Sequence, residues 1–195
     1  FIFSRFHLII ILFVGIWAVR LASFFIITRV LPGIQDSRYN YLKQSYKKNE
    51  NFNLLLNYFF QAILQAILSS IFIMGIQLNQ PNDFYLYIGV LVVLIGVVGQ
   101  AVADFQLHAF KKQSDSSGLC KTGLWFYSRH PNYFFEITFW TGISFIFYSH
   151  LQEIIVFYVP IQMYLIMRFL TGPLTEKISI AKRGQTYLEY KKNTP

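Results

Sequence analysis

The stretch Phe84-Tyr85-Leu86-Tyr87-Ile88-Gly89-Val90-Leu91-Val92-Val93-Leu94-Ile95-Gly96-Val97-Val98-Gly99-Gln100-Ala101-Val102-Ala103 decides the fold. It holds no Asp, Glu, Lys, Arg or His. Its length is the roughly 20 residues that a helix needs to cross the hydrocarbon core of a bilayer. Its apolar residues do not alternate, so it reads as helix and not as barrel strand. Four other stretches read the same way: Phe6 to Ile27, Leu54 to Ile76, Asn132 to Ser149 and Ile154 to Thr171. The last two are short and are expected to tilt or to extend at their ends. Composition agrees: only 13% of residues are charged, against roughly 25% in a soluble domain. The expected fold is all-α, a multi-pass transmembrane helical bundle with five spans, forming one integral-membrane domain over residues 1–195. The chain begins at Phe1 inside an apolar run, as an N-terminally truncated fragment would.

Charge outside the spans sets an expected orientation. Segments 28–53, 104–131 and 172–195 carry most of the Lys and Arg, and the connectors 77–83 and 150–153 carry none. Basic loops face the cytoplasm, so these three segments and the C-terminus are expected to be cytosolic. With Arg168 counted to the basic tail, only Arg5 and Arg20 stand outside this scheme. The net charge of +8 is then mostly topology, with possible contact to anionic lipid, and nucleic acid is not an expected partner. Gly89, Gly96 and Gly99 follow no strand, which excludes a dinucleotide fingerprint and leaves close helix packing. The single Cys120 has no disulfide partner in the chain and is expected in a reducing cytosolic loop. His7, His108, His130 and His150 show no metal-ligand spacing.

Ionisable residues inside spans are costly and mark function by default. Two charges are read within the spans, Arg20 and Glu136, with Arg168 counted to the basic tail. Arg20 either snorkels to the interface or turns inward to bind an anion or pair with Glu136. Trp17 shares its helical face. Glu136 follows Gly123-Leu124-Trp125-Phe126-Tyr127-Ser128-Arg129-His130-Pro131-Asn132-Tyr133, a basic, ring-rich segment at the mouth of the fourth span. Pro131 suits the first helical position, and Asn132 lies one turn before Glu136 on the same face. With Arg129 and His130 beside it, this helix N-terminus is an expected anion site, suited to a cofactor phosphate or carboxylate. Asp104, His108 and Lys111 fall on one face of the third helix as it leaves the membrane, and could line the same pocket. In the tail, a helix is expected to break near Gly184, with Tyr187 and Tyr190 placed to stack on a base or to sit at the headgroups.

Taken in order, Trp17-Ala18-Val19-Arg20-Leu21, Asp36-Ser37-Arg38-Tyr39, Ala103-Asp104-Phe105-Gln106, the Gly123 to Glu136 string and Tyr187-x-x-Tyr190-x-x-x-Thr194 resemble the C-terminal domain of the membrane steroid 5-alpha-reductase-like superfamily. The likeness is to its broad, largely bacterial branch. The resemblance implies about seven spans in the complete protein and a cytosol-facing NADPH pocket. It implies hydride transfer to an activated carbon–carbon double bond of a lipid, steroid-like or isoprenoid, that enters from the bilayer. By motif match, Asp104, Asn132 and Glu136 would hold the cofactor. Arg20, His108, Lys111, Arg129 and His130 would contact its phosphates or ribose. Tyr133, or else Tyr127, would give the proton by proximity, so Tyr133 and Glu136 are the candidate catalytic residues. Two positions depart from the steroid reductases: Trp17 stands where they carry Tyr, and Phe135 stands where Gly is common, which is expected to narrow the groove. Both weigh against a 3-oxo-steroid substrate.

Two other readings stay open. Arg129-His130-Pro131-x-Tyr133, Glu176 and Tyr187/Tyr190 also resemble the looser pattern of membrane isoprenylcysteine and phospholipid methyltransferases, which use S-adenosylmethionine. A non-catalytic lipid-binding protein could also retain this fold. The resemblance favours a bacterial inner membrane, or the endoplasmic reticulum in a eukaryote.

Overall fold

In the computed structural model, residues 5–34, 37–46, 49–75, 81–113 and 118–195 are described. Asp36, Lys47, Lys48 and most of the polar break at 113–118 lie outside them. The described residues form helices and connecting turns, with no strand among them. Helix α1 (Arg5–Phe25) runs into a π-helical turn, Ile26–Val30. Then come α2 (Ser37–Ser45), α3 (Glu50–Ser69), α4 (Ile71–Met74) and α5 (Asp83–Gln113). The short α6 (Leu124–Tyr127) precedes α7 (Pro131–Leu151). A 3-10 turn (Ile154–Phe157), α8 (Tyr158–Leu165), a second π-helical turn (Ile166–Thr171) and α9 (Gly172–Arg183) follow one another. The chain closes with α10 (Gln185–Asn193).

Four of these helical stretches are long and apolar enough to cross a membrane: Arg5–Val30, Glu50–Met74, Asp83–Lys112 and Ile154–Arg183. The chain is therefore a multi-pass, all-α membrane bundle. The short fifth reading, Ile154 to Thr171, is extended by α9, and α5 carries the third well past Ala103. α7 is less hydropathic because it includes Asn132, Glu136 and His150, yet its 21 residues reach about 31 Å at 1.5 Å per residue. It lies alongside α5 and supplies more of the core than any other helix: Phe139, Trp140, Ile143, Ile146 and Phe147 are all at most 2% exposed. Apolar residues surround α7 on every side, as a helix buried in the middle of a bundle requires.

Small residues make the α5–α7 seam. Gly89 faces Gly142 and Ile146, Val93 faces Gly142, Gly96 faces Phe139, and Gly99 faces the Phe135 ring. The pairs run in opposite order along the two chains, so the helices are antiparallel. An added Cβ on Gly96 would lie 2.6 Å from the backbone of Phe139. The expected close packing through small residues is thus present. Its register brings Gln100 level with Glu136, and α1 packs against the same layer.

Candidate functional site

Glu136 sits at the centre of a polar cluster built by three helices. Its Oε1 accepts from the indole N–H of Trp17 at 2.9 Å and from that of Trp140 at 3.2 Å. Its Oε2 accepts from Gln100 Nε2 at 2.6 Å and lies 3.7 Å from Arg20 Nη2. Arg20 Nη1 meets Asp104 Oδ2 at 2.5 Å. Arg20 is therefore inward, and it bridges two carboxylates. The i, i+3 spacing of Trp17 and Arg20 on α1 presents both donors to α7 and α5 at once. Trp17 also stacks on Phe139, with ring centroids 5.8 Å apart. A carboxylate has about four acceptor sites; three here take hydrogen bonds from the chain's own groups, and Arg20 adds an ion pair.

Beside this cluster opens a cavity of about 860 Å³ between α1, α5, α7, α9 and α10. Arg20, Asp104, His108, Lys111, Arg129, His130, Asn132, Tyr133 and Glu136 all line it. The structure thus gathers every site residue expected from the sequence into one space. Trp17, Tyr127 and Phe135 are not among the lining residues. Tyr127, the alternative proton donor, is 73% exposed on α6, outside the cavity lining. Phe135 turns its ring into the notch at Gly99, so it does not narrow the groove as expected. The lining also includes Gln100, Arg29, Arg38, Lys182, Arg183 and Tyr187, which sequence reading did not place there. Gln100 carried a usable signal, because it lies one turn before Asp104 on the same face of α5.

The basic start of α7 is organised differently from the expectation. Its anion comes from the chain itself: Glu176 of α9 lies 2.6 Å from Arg129 Nη1 and 3.5 Å from His130 Nε2. Lys191 of α10 takes the other oxygen at 2.6 Å. Tyr133 stacks on His130 at 4.9 Å, and its hydroxyl lies 3.2 Å from that of Thr175. Asn132 accepts the Tyr133 N–H through its side chain. Loop and tail are tied to this end as well. Gly123, at φ 61°, makes the turn that lets Leu124 N–H reach Gln106 Oε1 at 2.9 Å. The Trp125 indole donates to the Ala103 carbonyl at 3.0 Å. Among the described residues no group of three His, Cys, Asp or Glu could hold a metal ion.

Burial holds the His130 pKa below its ordinary 6.5, aided by Arg129 and Lys191 and opposed by Glu176. Burial also pushes the Tyr190 phenol up to about 12. A histidine buried neutral binds its proton later than the same group in the unfolded chain. As pH falls below 6.5 the unfolded state gains protons first, and stability drops. The thermal midpoint of the detergent-solubilised protein is expected to fall between pH 7.5 and 5.5, with His130→Gln flattening that slope. An unchanged slope in the variant would assign the loss to other groups.

Comparison with known proteins gives one family: the model described as "Protein of unknown function (DUF1295)" matches residues 3–194. No curated protein and no solved structure matches the chain.

Proposed function

The chain belongs to the DUF1295 family, and we propose that it is a membrane-embedded, NADPH-dependent reductase of a lipid carbon–carbon double bond. The observation that carries this reading is the charge of the cavity. Its lining includes Arg20, Arg29, Arg38, Lys111, Lys112, Arg129, Lys182 and Arg183, against only Asp104 and Glu136, and Arg20 engages both acids. Such a cavity favours a polyanion. NADPH, with its pyrophosphate and 2′-phosphate, suits it; the cationic sulfonium of S-adenosylmethionine does not. The resemblance of the motif string to steroid 5-alpha-reductase-like proteins supports the same choice.

The inner wall fits the other end of such a cofactor. Gln100 Oε1 and Arg20 Nε are buried atoms without hydrogen-bond partners. One is an acceptor and the other a donor, the complement of a primary carboxamide. When bound, NADPH supplies the hydride. Asp104 and Glu136 fix Arg20. Lys111 and Lys182 offer charge to phosphates, and His108 and Asn132 offer polar contacts. Tyr133, whose hydroxyl lies beside that of Thr175, would hold the proton that completes a reduction. Leu21, Phe24, Met163 and Met167 give the cavity an apolar side, suited to a lipid arriving from the bilayer. Basic segments then face the cytosol, the side from which the cofactor enters. The indole N–H of Trp17 is given to Glu136, so it is not free to polarise a substrate carbonyl.

Methyl transfer is the second reading, favoured by the C-terminal Glu176 and the Tyr187/Tyr190 pair. The decisive test titrates NADPH and S-adenosylmethionine into the folded protein in nanodiscs, with Lys111→Ala beside it. We expect NADPH to bind, steeply weakened by salt. Affinity should fall about tenfold or more in the variant, the worth of one charge-assisted hydrogen bond. Selective S-adenosylmethionine binding would favour methyl transfer. Binding of neither would favour a non-catalytic lipid-binding role.

A further inference from the structure

We propose that α10 is a hinged lid over the basic end of the cavity, held shut by two contacts. The hinge is Gly184. Its backbone, at φ 54° and ψ −128°, ends α9 and starts α10, and a residue with a side chain would be strained there. Nothing lies within 4 Å of where its Cβ would be. Glycine is therefore needed for the bend and not for space.

Beyond the hinge, α10 turns Tyr187 and Tyr190 into the cavity wall, where they are 4% and 6% exposed. The first latch joins α10 to α9 and α7: Lys191 to Glu176, which in turn holds Arg129. The second joins α10 to α6: the Tyr190 hydroxyl donates to the Trp125 carbonyl at 2.5 Å. The end of the chain adds a third tie, the Arg129 N–H to the Pro195 carbonyl at 2.9 Å. Apart from these two rings, no large apolar side chain of this nine-residue helix is buried; Leu188 is 43% exposed. A short terminal element fastened by two rings and a few polar contacts can open as a unit below the free energy of global unfolding. The proposal goes beyond the assignment of a cofactor, because it holds whatever ligand the cavity takes.

The chain carries its own reporter. Cys120, its only cysteine, is buried in the cavity lining close to Tyr190, and Lys121 lies over the Tyr190 ring at 5.8 Å. A charged maleimide should label Cys120 in the folded protein far more slowly than after unfolding in SDS. Lys191→Met and Tyr190→Phe should each speed labelling about three- to tenfold, the range one ordinary ion pair or hydrogen bond supplies. Hydrogen exchange should rise across residues 185–193 and stay unchanged in α5 and α7. Labelling of the wild type at the SDS rate would show that α10 covers nothing. Unchanged rates in both variants would show that these contacts do not hold it, and faster exchange throughout would mean global unfolding instead of a lid. All three results overturn the proposal without touching the cofactor reading, since no cofactor is present in the assay.

Discussion

Glu136→Ala is expected to cost about 3–5 kcal/mol, the penalty for breaking a buried charge cluster by removing one partner. The loss is large because four donors converge on this carboxylate. Its removal leaves the Trp17 and Trp140 indoles and Gln100 Nε2 without an acceptor, and leaves Arg20 with Asp104 alone. Glu136→Gln should be milder but still harmful, since its new NH2 must face another donor. Tryptophan fluorescence checks both variants, because two of the three tryptophans of the chain hydrogen-bond to Glu136. We expect a lowered thermal midpoint and a shifted emission maximum, larger for Ala than for Gln. A midpoint within a degree of wild type in Glu136→Ala would mean that the cluster does not hold α1 to α7.

Enlarging Gly96 should be comparably damaging. A Cβ there would meet Phe139 Cα and N at 2.6 Å, and neither atom can rotate away as a side chain could. The two helices must separate along the seam, and the layer holding Gln100 and Glu136 lies one turn further on. Gly96→Ala is expected to cost about 1–3 kcal/mol through overpacking, and Gly96→Leu to abolish recovery of folded protein. Gly15→Ala is the control. Nothing lies within 4 Å of its Cβ position, so helix propensity alone acts there, gaining up to about 1 kcal/mol. Size-exclusion recovery and thermal midpoints of the three variants separate seam packing from a general intolerance of substitution.

The spans were legible in the sequence because transfer into hydrocarbon depends on composition over a window, which needs no knowledge of neighbours. Arg20 and Glu136 stood out for the same reason: a charge in an apolar run is visible locally. Their partners were not. Whether Arg20 meets Glu136, Asp104 or both depends on how α1 rotates against α5 and α7, and the stretch around Trp17 does not encode that alone. Trp140 read as one more aromatic in a span, although it lies one turn from Glu136 and shares its face. The basic start of α7 was legible as an anion site. That Glu176, far along the chain from Arg129 and His130, supplies an anion there follows from the fold-back of α9. The tail was legible as two helices through Gly184, but its docking rests on a few polar contacts between segments far apart in sequence.

The notch at Gly99 has a consequence for how this chain can change. The Phe135 ring occupies the space that any side chain at position 99 would need. The two positions therefore share one volume, and the order of substitution matters. A mutation at 99 made first meets the ring and is penalised; made after Phe135 has become small, it fills a vacancy and is tolerated. Exchanging the two, with Gly at 135 and a large side chain at 99, moves bulk from α7 to α5 while keeping their separation. Related chains can thus reach opposite solutions at this pair, but only by passing through the one with two small residues.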